Sequence, residues 1–231
     1  MVSPERITIS IVIPCLNEGK FIEKTLTNVH SLNGSFEVIV VDGGSTDETI
    51  DIVKKFESVN LVPSAKGRSI QMNKGAKVAK GDILLFLHAD TFLPENTYDS
   101  ITTALDKTEI VAGSFYLMFD HENWALNMYT WMSRFNFSLF TYGDHGIFVK
   151  KQIFEDIGGY KEIPFMEDVE IQSRFSNVGR FGKLDTAVLT SARRFIKTGP
   201  FRQLIFDLWL IFLFKIGVSP VWLKKFYKDQ F

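Results

Sequence analysis

The chain holds a single cysteine, Cys15, which excludes an internal disulfide framework and suits a reducing compartment. Charge of either sign is not in excess: 26 Lys and Arg against 27 Asp and Glu leave a net charge of −1. No basic field therefore advertises nucleic acid. A membrane-spanning run is also missing. Residues 201–214 are strongly apolar but carry Gln203 and Asp207, and they fall short of the ~20 residues a span needs. Met1 to Arg6 lead straight into the first predicted strand, so no signal peptide is expected. Repeats, low-complexity segments and a clear linker are lacking as well. Three motifs are absent: G-x-G-x-x-G, G-x-x-x-x-G-K-[ST] and G-x-S-x-G. Their absence argues against a dinucleotide dehydrogenase, a P-loop NTPase and an α/β-hydrolase.

What is present reads as one domain with an ordinary core: 231 residues, 45% hydrophobic and 23% charged. The central stretch is Ile83-Leu84-Leu85-Phe86-Leu87, five apolar residues between Gly81 and a polar cluster. It predicts a strand buried on both faces. Further strands are predicted over residues 7–13 (ended by Pro14), 36–41, 60–62, 110–117, 146–149 and, more weakly, 181–189. Helical spacing is found over 21–32, 48–56, 67–79, 96–105, 151–157 and 166–175, with one or two aromatic helices in 123–142. Repeated strand–helix units with short connections imply a parallel sheet with right-handed crossovers, an α/β fold.

Ligands in open α/β sheets bind beyond the carboxyl ends of the strands. Glu18, Asp42 and Asp90 follow the first, second and fourth strands and so converge on one edge. Two of them also have a structural reading: Asp42 as a turn former before Gly43-Gly44, Asp90 as a cap for the helix near Pro94.

Three motifs in order carry a resemblance: Ile11-Val12-Ile13-Pro14-Cys15-Leu16-Asn17-Glu18, Val40-Val41-Asp42-Gly43-Gly44-Ser45-Thr46-Asp47 and His88-Ala89-Asp90-Thr91. Together they resemble the nucleotide-sugar half of family 2 glycosyltransferases, and the resemblance runs on through Glu167-Asp168 to about residue 195. Within that family the chain is similar to a short bacterial branch labelled selenodomain- or radical-SAM-associated transferase 2, a label that names no substrate. The implied fold is GT-A: a Rossmann-like, mostly parallel sheet flanked by helices. The implied activity is inverting transfer of a sugar from a nucleoside diphosphate, commonly UDP, to an acceptor hydroxyl.

The resemblance implies roles residue by residue. Pro14, Leu16 and Glu18 belong to the loop along the nucleotide, and Asp42 is the acid that bonds base or ribose. Arg68, with Lys66 as its alternative, is the basic residue near them, and Asp47 reads better as a helix cap. Asp90 matches the last Asp of the family's D-x-D, the ligand of Mg²⁺ or Mn²⁺ on the diphosphate, with Ala89 between it and His88. His88 stands where the first Asp is expected, and a neutral imidazole suits Mn²⁺ better than Mg²⁺. Asp168 matches the base that deprotonates the acceptor, with Glu167 beside it; two acids in a helix's first turn also favour the dipole. Asp144 or His145 is expected to touch sugar or acceptor, and Arg193-Arg194 to close over the diphosphate. The Q-x-x-R-W motif of processive synthases is missing.

The domain is expected to span residues 1–195, with a nucleotide half to 107, an acceptor half from 108, and a helical appendage at 196–231. Phe, at 22 copies, concentrates in residues 115–148 and 195–231. Trp124, Trp131, Phe135, Phe137 and Phe140 are expected to be core. Residues 201–231 are assigned to peripheral contact at the inner face of the cell membrane or to a homodimer, with the chain itself cytoplasmic. A nucleotidyltransferase and a non-catalytic nucleotide-sugar-binding protein are the competing functions. The first would want a glycine-rich basic loop after the first strand, which Cys15-Leu16-Asn17-Glu18 is not.

Overall fold

The run at residues 83–87 is buried throughout, with no side chain more than 4% exposed. It forms β4 (Ile83–Phe86) in a computed structural model that describes residues 7–107, 109–135 and 143–227. Beside it lie β1 (Ile9–Cys15), β2 (Phe36–Asp42) and β3 (Val59–Pro63), all parallel, in the order β3-β2-β1-β4. The helices α1 (Ile22–His30), α2 (Thr49–Val53) and α3 (Arg68–Val78) connect them. The strand alternation sorts side chains into two layers. Ile11, Ile13 and Leu85 pack with Leu26 of α1, whereas Val12, Leu84 and Phe86 pack with Met72 and Ala76 of α3. Each fully buried aliphatic side chain contributes roughly 1.5–3 kcal/mol.

Pro14 does not end the first strand, which runs on to Cys15. Val12 still faces β4, its carbonyl accepting from Leu87 N–H. Two residues on, β4 has finished, so the missing N–H of Pro14 leaves no partner unsatisfied.

The sheet continues past β4 with mixed directions. β5 (Thr91–Phe92), α4 (Thr97–Asp106), β6 (Ile110–Phe119), α5 (Trp124–Ser133), β7 (Ile147–Lys150), α6 (Lys151–Asp156), α7 (Glu167–Val178) and β8 (Arg180–Thr190) follow in chain order. The full order is β3-β2-β1-β4-β7-β6-β8-β5, with β7 antiparallel to β4 and β6, β8 parallel to β6, and β5 antiparallel to β8. The expected weak last strand is thus eleven residues long, because β6 pairs with it along most of its length. β5, only two residues, has no pattern to announce it.

The C-terminal helices are α8 (Arg193–Thr198), α9 (Pro200–Lys215) and α10 (Pro220–Lys224). Leu204 joins the main core, and Leu210, Ile211 and Leu223 form a smaller cluster with Met166 and Val169 beside the start of α7. Trp124, Trp131 and Phe135 are not core: they are 68%, 60% and 43% exposed. The buried face of α5 is Ala125, Leu126, Tyr129 and Ser133, which turns both tryptophans outward. Phe137 and Phe140 lie outside the described residues.

Gly75 sets the approach of α3 to the sheet. A Cβ there would stand 2.3 Å from Val12 Cγ1 and 2.9 Å from Val41 Cγ2. Gly75→Ala would gain up to ~1 kcal/mol of helix propensity, but overpacking costs about 1–3 kcal/mol and decides the sign. A lower urea midpoint is expected; an unchanged or higher midpoint would contradict this packing.

Candidate active site

Two loops at the carboxyl edge of the sheet are tied together before any cavity is considered. Asn17, at φ 56, donates its N–H to Ser45 Oγ and accepts from Thr46 N–H on its Oδ1. Glu18 N–H donates to Thr49 Oγ1 at 2.8 Å. Asp47 accepts from Gly19 N–H and from Thr49 N–H and Oγ1–H, securing the start of α2 two residues on, while Glu48 holds the N-cap position. The Asp42 carboxylate accepts from Gly44 and Ser45 N–H at 2.9–3.2 Å and is spent on this turn.

Beyond that edge opens a cavity of about 1580 Å³. Its walls include Pro14, Leu16, Glu18, Arg68, His88, Ala89, Asp90, Asp144, Glu167 and Asp168, and also Lys66, Arg193 and Arg194. Of the predicted site residues Asp42 and His145 are not on its surface. His145 stays behind the wall: it is fully buried, with Nδ1 3.3 Å from Phe115 O and 3.4 Å from Lys183 Nζ.

Arg193 bridges the two acids that end β1 and β4. Its Nη2 donates to Glu18 Oε1 at 2.9 Å and sits 3.3 Å from Asp90 Oδ2, with the guanidinium 4.5 Å over the Phe21 ring. Burial raises the pKa of both carboxyls, and Arg193 opposes the rise in each. Glu18 Oε2 remains buried without a hydrogen-bond partner.

On the opposite wall Met166, at φ 66, places Glu167 and Asp168 at the head of α7. A left-handed non-glycine residue is strained and needs a surrounding structure to hold it. Asp168 is fixed at both oxygens: Oδ2 accepts from Gly143 N–H at 2.6 Å and Oδ1 from Val169 N–H at 2.8 Å. Glu167 Oε1 pairs with Arg68 Nη1 at 3.3 Å, and burial raises its pKa against that pairing. His88 packs under Gly143, where a Cβ would lie 3.0 Å from its Nε2. Burial, then Arg68, Arg194 and Arg193, push the His88 pKa well below its usual value, so the ring is neutral. Burial pushes the Asp144 carboxyl up to about 6, against the pull of Arg194.

Some of the lining could not be anticipated from motifs. Gln71 donates to Cys15 O at 2.8 Å and Val41 O at 2.7 Å, bracing the loop after β1. Tyr227 and Asp207 were not anticipated either: Arg194, itself an expected residue, donates to Tyr227 Oη and, at 3.2 Å, to Asp207 Oδ2. A lone acid inside the apolar run of α9 was the one available signal for Asp207.

For a divalent ion, Asp90 and neutral His88 offer one carboxylate and one imidazole. Among the described residues no three of His, Cys, Asp and Glu gather as a self-sufficient metal cluster. The pair fits an ion that takes its other ligands from a diphosphate and water. The orphaned Glu18 oxygen beside them adds to a local deficit of positive charge.

The profile described as Glycosyl transferase family 2 matches residues 10–158. This chain belongs to glycosyl transferase family 2. The match contains the Glu18, Asp42 and His88–Asp90 positions and stops short of Glu167-Asp168. A probable glycosyltransferase YdaM of Bacillus subtilis is 26% identical over 79% of this chain and 50% of its own length. A dolichyl N-acetyl-alpha-D-glucosaminyl phosphate 3-beta-D-2,3-diacetamido-2,3-dideoxy-beta-D-glucuronosyltransferase of Methanococcus voltae is 33% identical over 39% of this chain and 31% of its own. The family 2 chain thus spans half or less of the length of these relatives. Among solved structures, mannosyltransferase PcManGT of Pyrobaculum calidifontis, in complex with GDP-Man and Mn²⁺, superposes with a TM-score of 0.72 at 19% identity. The overlap covers 94% of this chain and 67% of that one. S. aureus TarS 1-349 with UDP-GlcNAc gives 0.64 at 20% identity, over 80% and 58%. These likenesses show a common glycosyltransferase α/β fold, with the mixed, mostly parallel sheet expected of GT-A.

Asp144 supplies a pH test of the site. Its raised pKa means that folding takes up a proton between about pH 4 and about pH 6, so stability is lost as pH rises through that window. In metal-free buffer Asp144→Asn is expected to melt higher than wild type above about pH 6, the gap closing towards about pH 4. Parallel melting curves at every pH would contradict the burial of this charge.

Proposed function

We propose that this chain is an inverting glycosyltransferase that moves a sugar from a nucleoside diphosphate to an acceptor hydroxyl. The observation that carries the reading is the placement of Asp168. Two backbone N–H groups hold its carboxylate on the wall of the cavity that also contains Asp90 and His88. Support comes from family membership and from the convergence of the three motifs on one sheet edge.

In this mechanism the loop of Pro14, Leu16 and Glu18 lies along the nucleotide, and Arg68 or Lys66 stands near base and ribose. Asp42 acts through the turn that positions this loop, and reaches base or ribose only if its turn bonds yield. Asp90 and His88 would hold Mn²⁺ or Mg²⁺. When bound, the divalent ion offsets the negative charge that grows on the departing diphosphate. Arg193 and Arg194 face the same region and add fixed positive charge. Asp168 accepts the proton of the acceptor hydroxyl as the new glycosidic bond forms, a role that typically supplies 10²–10⁴-fold. Glu167, held by Arg68, orients the acceptor, and Asp144 stands where sugar or acceptor passes. Attack opposite the leaving group inverts the anomeric carbon. UDP as the nucleotide, membership of the short bacterial branch and a cytoplasmic location belong to the same proposal.

Asp168→Asn keeps an oxygen for the Gly143 N–H but cannot take a proton. Transfer is expected to fall by ~10²-fold or more, while nucleoside diphosphate affinity by calorimetry changes little. Wild-type turnover in that variant would remove Asp168 from the mechanism.

A further inference from the structure

Helix α9 is built inside out. Two of its polar residues, Gln203 and Asp207, face inward, where Gln203 Nε2 donates to Asp207 Oδ1 at 2.7 Å and Asp207 receives Arg194. Its outward stripe is apolar: Phe201, Ile205, Phe212 and Ile216 are 51–61% exposed, at helical spacing. The stripe does not stop at the helix. The Trp124 ring of α5 lies 6.0 Å from Phe201, and Trp222 and Phe226 of α10 extend the surface beside Trp209. A contiguous aromatic face of this kind is a contact site rather than ordinary surface.

Its flanking charge chooses the partner. Between residues 193 and 227 the sequence has seven Lys and Arg and one acid, Asp207, which is turned inward. Lys197, Arg202, Lys215 and Lys225 are exposed and lie in sequence among the aromatic residues. Over residues 193–227, aromatic residues with cations and no exposed acid match an anionic lipid headgroup layer, and Glu122 near Trp124 is an exposed acid at its margin. A homodimer would bring these same cations face to face across a two-fold axis. At sixteen residues α9 is ~24 Å long, and among the described residues no helix is long and apolar enough to cross a membrane. The face suits lying on a bilayer.

The same helices build part of the cavity. Ile205, Phe206, Trp209 and Phe226 line it, opposite the carboxylates. Its volume of about 1580 Å³ exceeds the ~300–1,000 Å³ usual for a single ligand. Leu210, Ile211 and Leu223 meanwhile pack against Met166 and Val169, which flank Glu167 and Asp168. We propose that the outward face of α9 and α10, with Trp124, docks on an anionic bilayer, and that the acceptor hydroxyl is carried by an amphiphile taken from that surface. The second half of this statement rests on the transferase reading; the docking half does not.

The test uses the full chain and vesicles of phosphatidylcholine with or without phosphatidylglycerol. Wild type is expected to co-sediment with the anionic vesicles and to release as salt rises. Phe212 and Ile216 are exposed and do not line the cavity, so Phe212→Glu with Ile216→Glu should fold and bind nucleotide normally. The pair is expected to lose more than about tenfold in vesicle binding. No binding by wild type, or equal binding by the pair, would overturn docking. So would a wild-type dimer in sedimentation velocity that the same substitutions dissociate. Polyprenol or diacylglycerol in the vesicles is expected to accept sugar from the donor. Transfer only to soluble glycosides would overturn the amphiphile. Absence of transfer to any acceptor, with vesicle binding intact, would instead overturn the transferase reading.

Discussion

Burying many carboxylates around one cavity is the constraint on which the rest of this site depends. Glu18, Asp90, Asp144, Glu167 and Asp168 share it, and Arg68, Arg193 and Arg194 act on them. Each acid is either paired, as Glu18, Asp90 and Glu167 are, held by backbone N–H groups, as Asp168 is, or pushed towards its neutral form, as Asp144 is. Removing one partner from such a set leaves an uncompensated charge in a poorly solvated place. Met166, at φ 66, and the unpartnered buried oxygen of Glu18 lie at the same site.

The sheet makes this concentration affordable. Parallel β1, β2 and β4 end together, so the residues after each emerge at one edge without any long connection. The antiparallel return of β7 then brings the turn at 143–145 to the same edge, where Gly143 meets both His88 and Asp168. β8 leads directly into Arg193 and Arg194. Arg193 so reaches Glu18 and Asp90, the acids after β1 and β4, whereas Arg194 pairs with Asp207 of α9.

Much of this was readable in one dimension. Strand alternation, the buried run at 83–87 and the acids after three strands are local properties, and the motif order carried the family. Strand order placed Glu18, His88 and Asp90 at one edge, whereas Asp168 at the head of α7 came from the family resemblance. Other features depend on partners distant in sequence. Asp42 looks the same whether it awaits a ribose or, as here, bonds its own turn. Trp124 and Trp131 look like core until α5 is seen to bury Ala125, Leu126 and Tyr129 instead. β5 is too short to have a period. The inward polarity of α9 needed Arg194, thirteen residues away from Asp207, to become intelligible.

The central claim is a single displacement in which Asp168 deprotonates an acceptor hydroxyl on the face opposite the leaving diphosphate. Its most direct test is the anomeric configuration of the first product, read by proton NMR before any mutarotation, from a donor of known configuration. The account predicts inversion, an α-linked donor giving a β-linked product. Retention would require a double displacement or a same-face mechanism and would contradict it.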